Sequence, residues 1–123
     1  MKKTIKILIV EDEAFLAMFI SSVCSNWGYH VCETIPTGEE AIEYVNNKEK
    51  PDIILMDIRL AGQMDGITAA EQIKIKNDIP IIFMTGYDED EIKKRAYKLN
   101  PVAYLIKPVN TAQLKALIDS TVK

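Results

Sequence analysis

Five polar side chains stand where apolar runs of this sequence end. They are Glu11, Asp12, Asp57, Thr85 and Lys107. Three carboxylates, one hydroxyl and one ammonium are the groups that a magnesium-assisted phosphoryl transfer onto an aspartate would use. Asp57 is the candidate acceptor in this interpretation. The chemistry requires that folding bring all of these run ends together.

The elements that must position these groups are predicted from hydrophobic patterns. Apolar runs rich in β-branched residues indicate strands, and amphipathic patterns between them indicate helices. Strict alternation of the two, with nearly continuous apolar strands, predicts a doubly wound α/β fold whose parallel sheet is covered on both faces. The five strands are expected at residues 5–10, 29–35, 53–56, 79–84 and 102–106.

Each expected helix carries a start signal, an apolar stripe or both. The first is predicted to bury a stripe that includes Phe15 and Phe19, with Glu13 as its cap and Gly28 after its end. The third is expected over about residues 66–76, and the fourth is acidic in its first turn and basic later, which suits the helix dipole. The capping residues expected for the second, fourth and fifth helices are Thr37, Asp88 and Asn110.

Parallel topology predicts that the polar run ends share one edge of the sheet. Right-handed crossovers place the carboxyl ends of all strands on that edge, and ligands bind there where strand order reverses. Each of these residues also has a simpler interpretation when it is considered alone. An acidic residue after a strand often caps the next helix. Lys107 would be a solvated surface charge, and Thr85 would be a β-branched residue that suits a strand. Together, two carboxylates ~4 Å apart repel by ~4 kcal/mol at an effective dielectric of 20, which favours a bound Mg2+.

Composition favours one compact domain. The chain has 123 residues, of which 48% are hydrophobic and 27% charged, and we expect a single domain over residues 1–123. The net charge is -3 and the basic residues are dispersed, so no direct nucleic-acid binding is expected.

The start Met1-Lys2-Lys3 imitates a secretory signal, but Glu11 and its acidic neighbours interrupt the apolar stretch. With no run of roughly 18 apolar residues, we expect a cytoplasmic protein without membrane contact.

The cysteines and the histidine are interpreted as structural. Cys24 and Cys32 lack CxxC spacing, so the sequence supports neither a zinc site nor a redox motif. Both are expected to pack as small apolar residues. His30 opens a predicted strand far from the polar edge and is interpreted as structural rather than as a phosphate carrier.

Five motifs, in order and at characteristic spacing, resemble the receiver domain of two-component response regulators. The likeness covers residues 5–122. It implies a flavodoxin-like (βα)5 fold with strand order 2-1-3-4-5. The motifs are Ile-Val-Glu-Asp-Glu, Leu-Met-Asp57-Ile, Met-Asp-Gly, Phe-Met-Thr85-Gly and Tyr-Leu-Ile-Lys107-Pro.

The resemblance also implies roles for the polar residues. Asp57 would accept a phosphoryl group from a sensor histidine kinase or a phosphotransfer protein. Glu11 and Asp12 would hold Mg2+ together with Asp57 and the backbone carbonyl of Arg59. The conserved lysine and threonine of the family bind the transferred group, and Lys107 and Thr85 occupy those places.

Signalling is implied through a change of surface. Tyr104 matches an aromatic residue whose rotation accompanies activation, although a plain core role for it stays open. The surface of the fourth helix, fifth strand and fifth helix would then face a downstream effector or output domain, or form a homodimer. Such a domain is not an enzyme apart from catalysing its own phosphorylation and dephosphorylation. Whether it stands alone or belongs to a larger regulator is left open.

The loop after Asp57 departs from the family pattern. It is one residue longer than usual and has Ala61 where proline is common, so its geometry is not predicted. Arg59 and Tyr87 fall at positions that tune dephosphorylation in the family. Their bulk is expected to slow or redirect an attacking water molecule.

Two other functions are compatible with an α/β fold of this topology. A flavin- or nucleotide-binding module on the same topology favours a glycine-rich loop after the first strand, whereas the loop here is acidic, from Glu11 to Phe15. A small Mg2+-dependent phosphohydrolase commonly uses a second acid two residues after its nucleophile. Arg59 stands at that position.

Overall fold

The computed structural model describes residues 4–122, so the expectation for Met1-Lys2-Lys3 lies outside the described residues. Within that range the chain forms one five-stranded sheet in the order β2-β1-β3-β4-β5. Every neighbouring pair in this sheet is parallel. The predicted flavodoxin-like topology is confirmed. The strands are β1 (Lys6–Val10), β2 (His30–Ile35), β3 (Ile53–Asp57), β4 (Ile81–Thr85) and β5 (Ala103–Ile106).

Helices cover both faces of the sheet. The residues of β3 and β4 are buried throughout, as expected for parallel strands with helices on either side. One core cluster packs the sheet against α2, α3 and α4, and a second packs the opposite face against α1 and α5. The helices are α1 (Ala14–Asn26), α2 (Gly38–Asn47), α3 (Gly66–Lys76), α4 (Asp90–Tyr97) and α5 (Thr111–Thr121).

Helix starts follow the predicted capping residues in three cases and differ in one. Thr37 and Asn110 accept hydrogen bonds from backbone N–H groups at the third helical position, at 3.1 and 2.9 Å. Glu13 stands at the N-cap position of α1 as predicted, but its side chain makes no cap bond. The prediction for Asp88 was wrong, because α4 begins after Glu89 and Asp88 pairs with Lys93.

The buried stripe predicted for α1 is only half correct. Ile20 and Cys24 are buried at 4% and 0% exposure, but Phe15 is 82% exposed and Phe19 is 55% exposed. Periodicity shows which residues share a side of a helix. It does not show how many turns of the helix are covered by the rest of the protein. The apolar first turns of α1 are therefore left on the surface, close to Glu11 and Asp12.

The loop from Ile58 to Asp65 is held at both ends. The Gly66 N–H donates to the Ile58 carbonyl at 2.7 Å, and a Cβ atom on Gly66 would lie 1.9 Å from the Asp57 carbonyl oxygen. Only glycine, which has no Cβ atom, can occupy position 66 this close to the backbone of Asp57. Further along, Gly62 has a positive φ of 88°, and the Gln63 N–H donates to Glu39 at 3.3 Å. The loop thus closes onto the start of α2, and Asp57 keeps its place in the ladder between β3 and β4.

Over residues 4–122, no helix combines the length and apolar character needed to cross a membrane.

Candidate functional site

Strand register brings the polar run ends to one edge of the sheet. Val10 lies beside Met56, so Glu11, the next residue, lies beside Asp57. On the other side of β3, Asp57 pairs with Met84, directly before Thr85. Thr85 in turn pairs with Ile106, and its carbonyl accepts the Lys107 N–H at 2.8 Å. The convergence predicted from the sequence is present.

Three carboxylates meet at this edge. One oxygen from each of Glu11, Asp12 and Asp57 lies within 4.8 Å of the other two. Glu11 and Asp57 are 3% and 4% exposed, whereas Asp12 faces solvent. Carboxylates this close repel one another, and burial strengthens the repulsion by excluding water. The cluster therefore requires cations.

Lys107 supplies one of those cations. Its Nζ donates to Glu11 Oε1 at 2.7 Å and to Asp57 Oδ2 at 2.8 Å. Burial alone would lower the pKa of the Lys107 ammonium, but these bonds to Asp57 and Glu11 outweigh burial and raise the pKa above its ordinary value. Lys107 therefore stays charged at neutral pH and links the two buried acids.

Backbone N–H groups hold the remaining oxygens of the two buried acids. The Ile58 N–H donates to Asp57 Oδ1 at 2.7 Å, and the Glu13 N–H donates to Glu11 Oε2 at 3.0 Å. Glu13 thus serves this edge with its backbone instead of capping α1 with its side chain. Both carboxylates are fixed in orientation, which is the preorganisation that a reactive site needs.

The donor set at this edge suits a hard divalent ion. Mg2+ takes oxygen ligands in octahedral geometry and keeps several waters when one or two carboxylates hold it. Glu11, Asp12 and Asp57 supply carboxylate oxygens on the side where Asp12 is open to water. In residues 4–122, no cysteine or histidine belongs to this cluster, so it offers nothing that would favour a softer metal.

Thr85 and Tyr104 contact the same loop after β4. Thr85 is fully buried, and its hydroxyl accepts the Tyr87 N–H at 3.2 Å. The Tyr104 hydroxyl donates to the Tyr87 carbonyl at 2.9 Å, and its ring stacks on Tyr97 with the centroids 6.1 Å apart. Burial raises the pKa of Tyr104, so its hydroxyl stays protonated and can donate this bond at neutral pH. One short backbone segment therefore joins Thr85 to Tyr104.

Arg59 and Tyr87, in the loops after β3 and β4, contact each other. The Arg59 guanidinium lies 4.2 Å from the centroid of the Tyr87 ring, a cation–π geometry. Arg59 also lies 3.9 Å from Glu89. The sequence suggested each residue separately, because nothing in it shows that the loops after β3 and β4 meet. The pair joins the loop after Asp57 to the loop after Thr85.

The family follows from comparison with known proteins. A family model described as the response regulator receiver domain matches residues 7–119. The chain belongs to this family. Receiver domains are signalling domains of two-component systems, and the resemblance seen in the sequence is confirmed.

Curated relatives of this receiver domain are longer proteins. Transcriptional regulatory protein PdtaR of Mycobacterium tuberculosis is 32% identical over 117 residues, which cover 95% of this chain and 56% of that protein. Transcriptional regulatory protein ZraR of Escherichia coli is 34% identical over 116 residues, which cover 94% of this chain and 26% of that protein. The chain spans about half of one relative and about a quarter of the other.

Solved structures agree with the fold throughout. The signal receiver domain of a modulated diguanylate cyclase from Desulfovibrio desulfuricans superposes with a TM-score of 0.90 at 34% identity, covering 98% of this chain and 94% of that one. The receiver domain of the sensor histidine kinase PA1611 from Pseudomonas aeruginosa has a TM-score of 0.86 at 26% identity, covering 98% of both chains. That structure holds a magnesium ion in its active site cleft.

Proposed function

We propose that this receiver domain accepts a phosphoryl group on Asp57 from a histidine kinase or phosphotransfer protein, in the cytoplasm and with Mg2+ bound. The observation that carries the proposal is the placement of the Lys107 ammonium between Asp57 and Glu11, at 2.8 and 2.7 Å. A buried aspartate held by a lysine, next to two further acids, is arranged to bind a cation and receive an electrophile.

Glu11, Asp12 and Asp57 are proposed as the Mg2+ ligands, with the backbone carbonyl of Arg59 completing the set. The donor types support this assignment, and so does the magnesium ion in the related PA1611 receiver structure. When bound, the ion would offset the negative charge of the incoming phosphoryl oxygens. The Arg59 carbonyl remains a prediction from the family resemblance.

In the proposed transfer, a carboxylate oxygen of Asp57 attacks the phosphorus atom. A new O–P bond forms while the P–N bond of the donor phosphohistidine breaks, and the imidazole leaves with the electron pair and takes up a proton. Charge spreads over three equatorial oxygens in the transition state. The Thr85 hydroxyl at the end of β4, the strand next to β3, and the Lys107 ammonium, which already bonds Asp57 at 2.8 Å, would bind those oxygens.

The proposed signal passes through the segment that joins Thr85 to Tyr104. If the Thr85 hydroxyl turns to the phosphoryl group, it releases the Tyr87 N–H, which it now accepts at 3.2 Å. Because Tyr104 binds the carbonyl of the same residue, a shift of this segment alters the surface formed by α4, β5 and α5. A downstream effector, an output domain or a second copy of the chain would bind that surface.

Intact mass after incubation with acetyl phosphate tests the proposed function. With Mg2+ we expect the wild-type chain to gain the mass of one phosphoryl group, and without Mg2+, in chelator, we expect little or no gain. The physical reason is that three acids at the edge repel an anionic donor unless a divalent ion offsets them. An unmodified mass at saturating Mg2+, or equal gain with chelator, contradicts the proposal.

Arg59 and Tyr87 are expected to lengthen the lifetime of the phosphoryl group. Their stacked side chains stand between the two loops that border Asp57 and would restrict the approach of water. We expect Arg59→Ala and Tyr87→Ala each to shorten the phosphoryl half-life several-fold. The double variant should add little, since either change alone breaks the stack. The half-life is measured by loss of the phosphorylated mass over time.

Arg95→Ala is the control for these two variants. Arg95 is another exposed arginine, and its partner is Asp65 at 3.0 Å, whereas Arg59 is the arginine over the Tyr87 ring. It should leave the phosphoryl half-life unchanged. Wild-type half-lives in both Arg59→Ala and Tyr87→Ala would remove the tuning role.

The exposed start of α1 is expected to contact the protein phosphodonor. Phe15, Met18 and Phe19 are 82%, 65% and 55% exposed beside the acidic edge, where any donor must approach Asp57. Exposed apolar groups of this size mark interaction surfaces. We expect Phe15→Ser with Phe19→Ser to slow transfer from a phosphorylated histidine protein at least ~10-fold, by loss of buried apolar contact. Phosphorylation by acetyl phosphate should be unchanged.

The contact at α1 is tested by measuring, in one preparation of the variant, the phosphorylation rate with acetyl phosphate and with a phosphorylated histidine protein. A variant that loses both activities is damaged at the site itself and does not support docking at α1. The control is Ile75→Ser, since Ile75 is 72% exposed on α3. It should leave both rates at the wild-type value.

A further inference from the structure

A second cluster of metal-binding side chains lies away from Asp57. One ligand atom from each of His30, Cys32 and Glu49 lies within 4.8 Å of the others. His30 opens β2 and pairs with Lys6 at the start of β1, so the cluster stands at the amino ends of the strands. Asp57 stands at their carboxyl ends. The two clusters are separate sites.

An irregularity in the sheet accompanies the cluster. β2 is an edge strand, and its register with β1 shifts between Ile7 and Leu8, so that Cys32 is left without a partner in the ladder. Bulges of this kind re-aim side chains and occur often beside functional sites. The connection after α2 then brings in Glu49 to meet Cys32 and His30.

Neighbouring groups hold the Glu49 carboxylate in place. Its Oε1 accepts the Tyr44 hydroxyl at 3.3 Å and lies 4.0 Å from His30 Nε2. Its Oε2 pairs with the Lys6 ammonium at 3.1 Å. A carboxylate oxygen has two lone pairs, so Oε1 can accept from Tyr44 and still bind a cation. Hydrogen bonds of this type orient the ligands of metal sites.

We propose that His30, Cys32 and Glu49 bind Zn2+, with water in the fourth position. Imidazole, thiolate and carboxylate are the ligand types of zinc, and a site with three protein ligands and one open position is common for this ion. Mg2+ prefers an all-oxygen set, so this cluster and the acidic edge select different metals.

Small movements suffice to form the site. Tetrahedral zinc holds its ligand atoms about 3.5 Å apart, and the atoms here lie within 4.8 Å of one another. His30 is exposed, so its ring can turn inward without opening the core. Burial, together with Glu49, raises the pKa of the Cys32 thiol to about 11. Zinc binds the thiolate, and the thiol proton passes to solvent.

Lys6 opposes the cation and limits the affinity. Its side chain is 40% exposed and its ammonium pairs with Oε2 of Glu49, so it can swing into water when a metal binds. No motif indicated this site, because Glu49 is distant from Cys32 along the chain and no CxxC or histidine pair is present. Cys32 was expected to pack as a small apolar residue; it is half-buried beside Glu49, and the proposal adds a role for its thiol.

Cobalt absorption tests the proposal on the intact chain, kept reduced with a phosphine. Co2+ bound to a thiolate gives a charge-transfer band that carboxylate ligands cannot produce, so the acidic edge does not contribute. We expect the band to saturate at one Co2+ per chain and to vanish when Zn2+ is added. Cys32→Ser should lack the band, and Cys24→Ala should keep it, since Cys24 is buried on the inner side of α1.

Variants of the two ligands that lie outside the hydrophobic core complete the test. We expect His30→Gln and Glu49→Gln to weaken Zn2+ binding at least ~10-fold in a chelator competition. Glu43→Gln, on the exposed side of α2, should bind as the wild type does. The proposal is overturned if the wild type shows no band, if Cys32→Ser keeps it, or if His30→Gln and Glu49→Gln bind Zn2+ like the wild type.

Discussion

Asp57→Asn is expected to stay at its unmodified mass under conditions in which acetyl phosphate and Mg2+ fully modify the wild-type chain. An amide is not a nucleophile toward phosphorus, so the rate should fall by roughly 10³-fold or more. The change preserves shape, and an amide oxygen can still accept the Ile58 N–H that now binds Oδ1 at 2.7 Å. Loss of modification would therefore report on chemistry and not on folding.

Asp65→Asn is the matched control for this variant. Asp65 lies at the end of the loop that follows Asp57 and caps α3 by accepting the Thr68 N–H at 2.8 Å. Asparagine caps helices about equally well. Its phosphorylation should match the wild type. Equal mass gain in Asp57→Asn and wild type would place the acceptor elsewhere and overturn the assignment of Asp57.

Lys107→Met is expected to lower both stability and phosphorylation. Without the ammonium, the nearly buried Glu11 and Asp57 carboxylates face each other with no protein cation between them. The free energy of unfolding at pH 7 should fall by about 3 kcal/mol, the low end for breaking a buried ion pair, because Lys107 is partly exposed; urea denaturation in chelator measures it. Adding Mg2+ should restore part of the loss, because an ion that binds the folded state alone stabilises it. Phosphorylation by acetyl phosphate should slow by about 10²-fold.

The pH dependence of this difference has a definite sign. The pKa of Lys107 is raised in the folded chain, so its contribution is complete below the ordinary lysine pKa and is lost as the pH rises through the raised value. Wild type and Lys107→Met should therefore differ by a constant amount through neutral pH, and as the pH rises they should converge only when it becomes strongly alkaline. Convergence already between pH 6 and 8 would contradict the ion pair.

Lys115→Met is the control for Lys107→Met. Lys115 pairs with Asp119 at 2.6 Å on the exposed side of α5, and exposed pairs of this kind contribute ~0.2–1 kcal/mol. Its removal should change the unfolding free energy by no more than that and should leave phosphorylation intact. Equal losses in the two variants would mean that the position of Lys107 has no special importance.

The strand order came from the family resemblance, whereas sequence patterns alone predicted the alternation of strands and helices and the convergence at the edge, for a simple reason. In a parallel sheet the register of buried strands follows from their apolar runs, so residues after Val10, Met56 and Met84 must meet. The third helix was expected over residues 66–76 and lies at Gly66–Lys76. Strand β4 begins two residues later than expected, after Pro80, which has no N–H to donate to a ladder.

Contacts between distant loops could not be predicted in this way. The stacking of Arg59 on Tyr87, the bond from Gln63 to Glu39 and the approach of Glu49 to Cys32 each join segments with no shared periodicity. Such contacts depend on the paths of irregular backbone, which single-residue preferences do not determine. The exposure of Phe15 has the same origin, since it depends on where neighbouring loops end.

The bond between Gly66 and Ile58 makes the intervening segment a closed ring whose two ends are fixed to each other. Residues added to or removed from such a ring change how far it extends into solvent, while its base keeps the same width. Asp57 lies outside this ring, in the regular ladder between β3 and β4. Evolution can vary this ring in length, and with it the groups that border the acceptor, as long as position 66 carries no side chain.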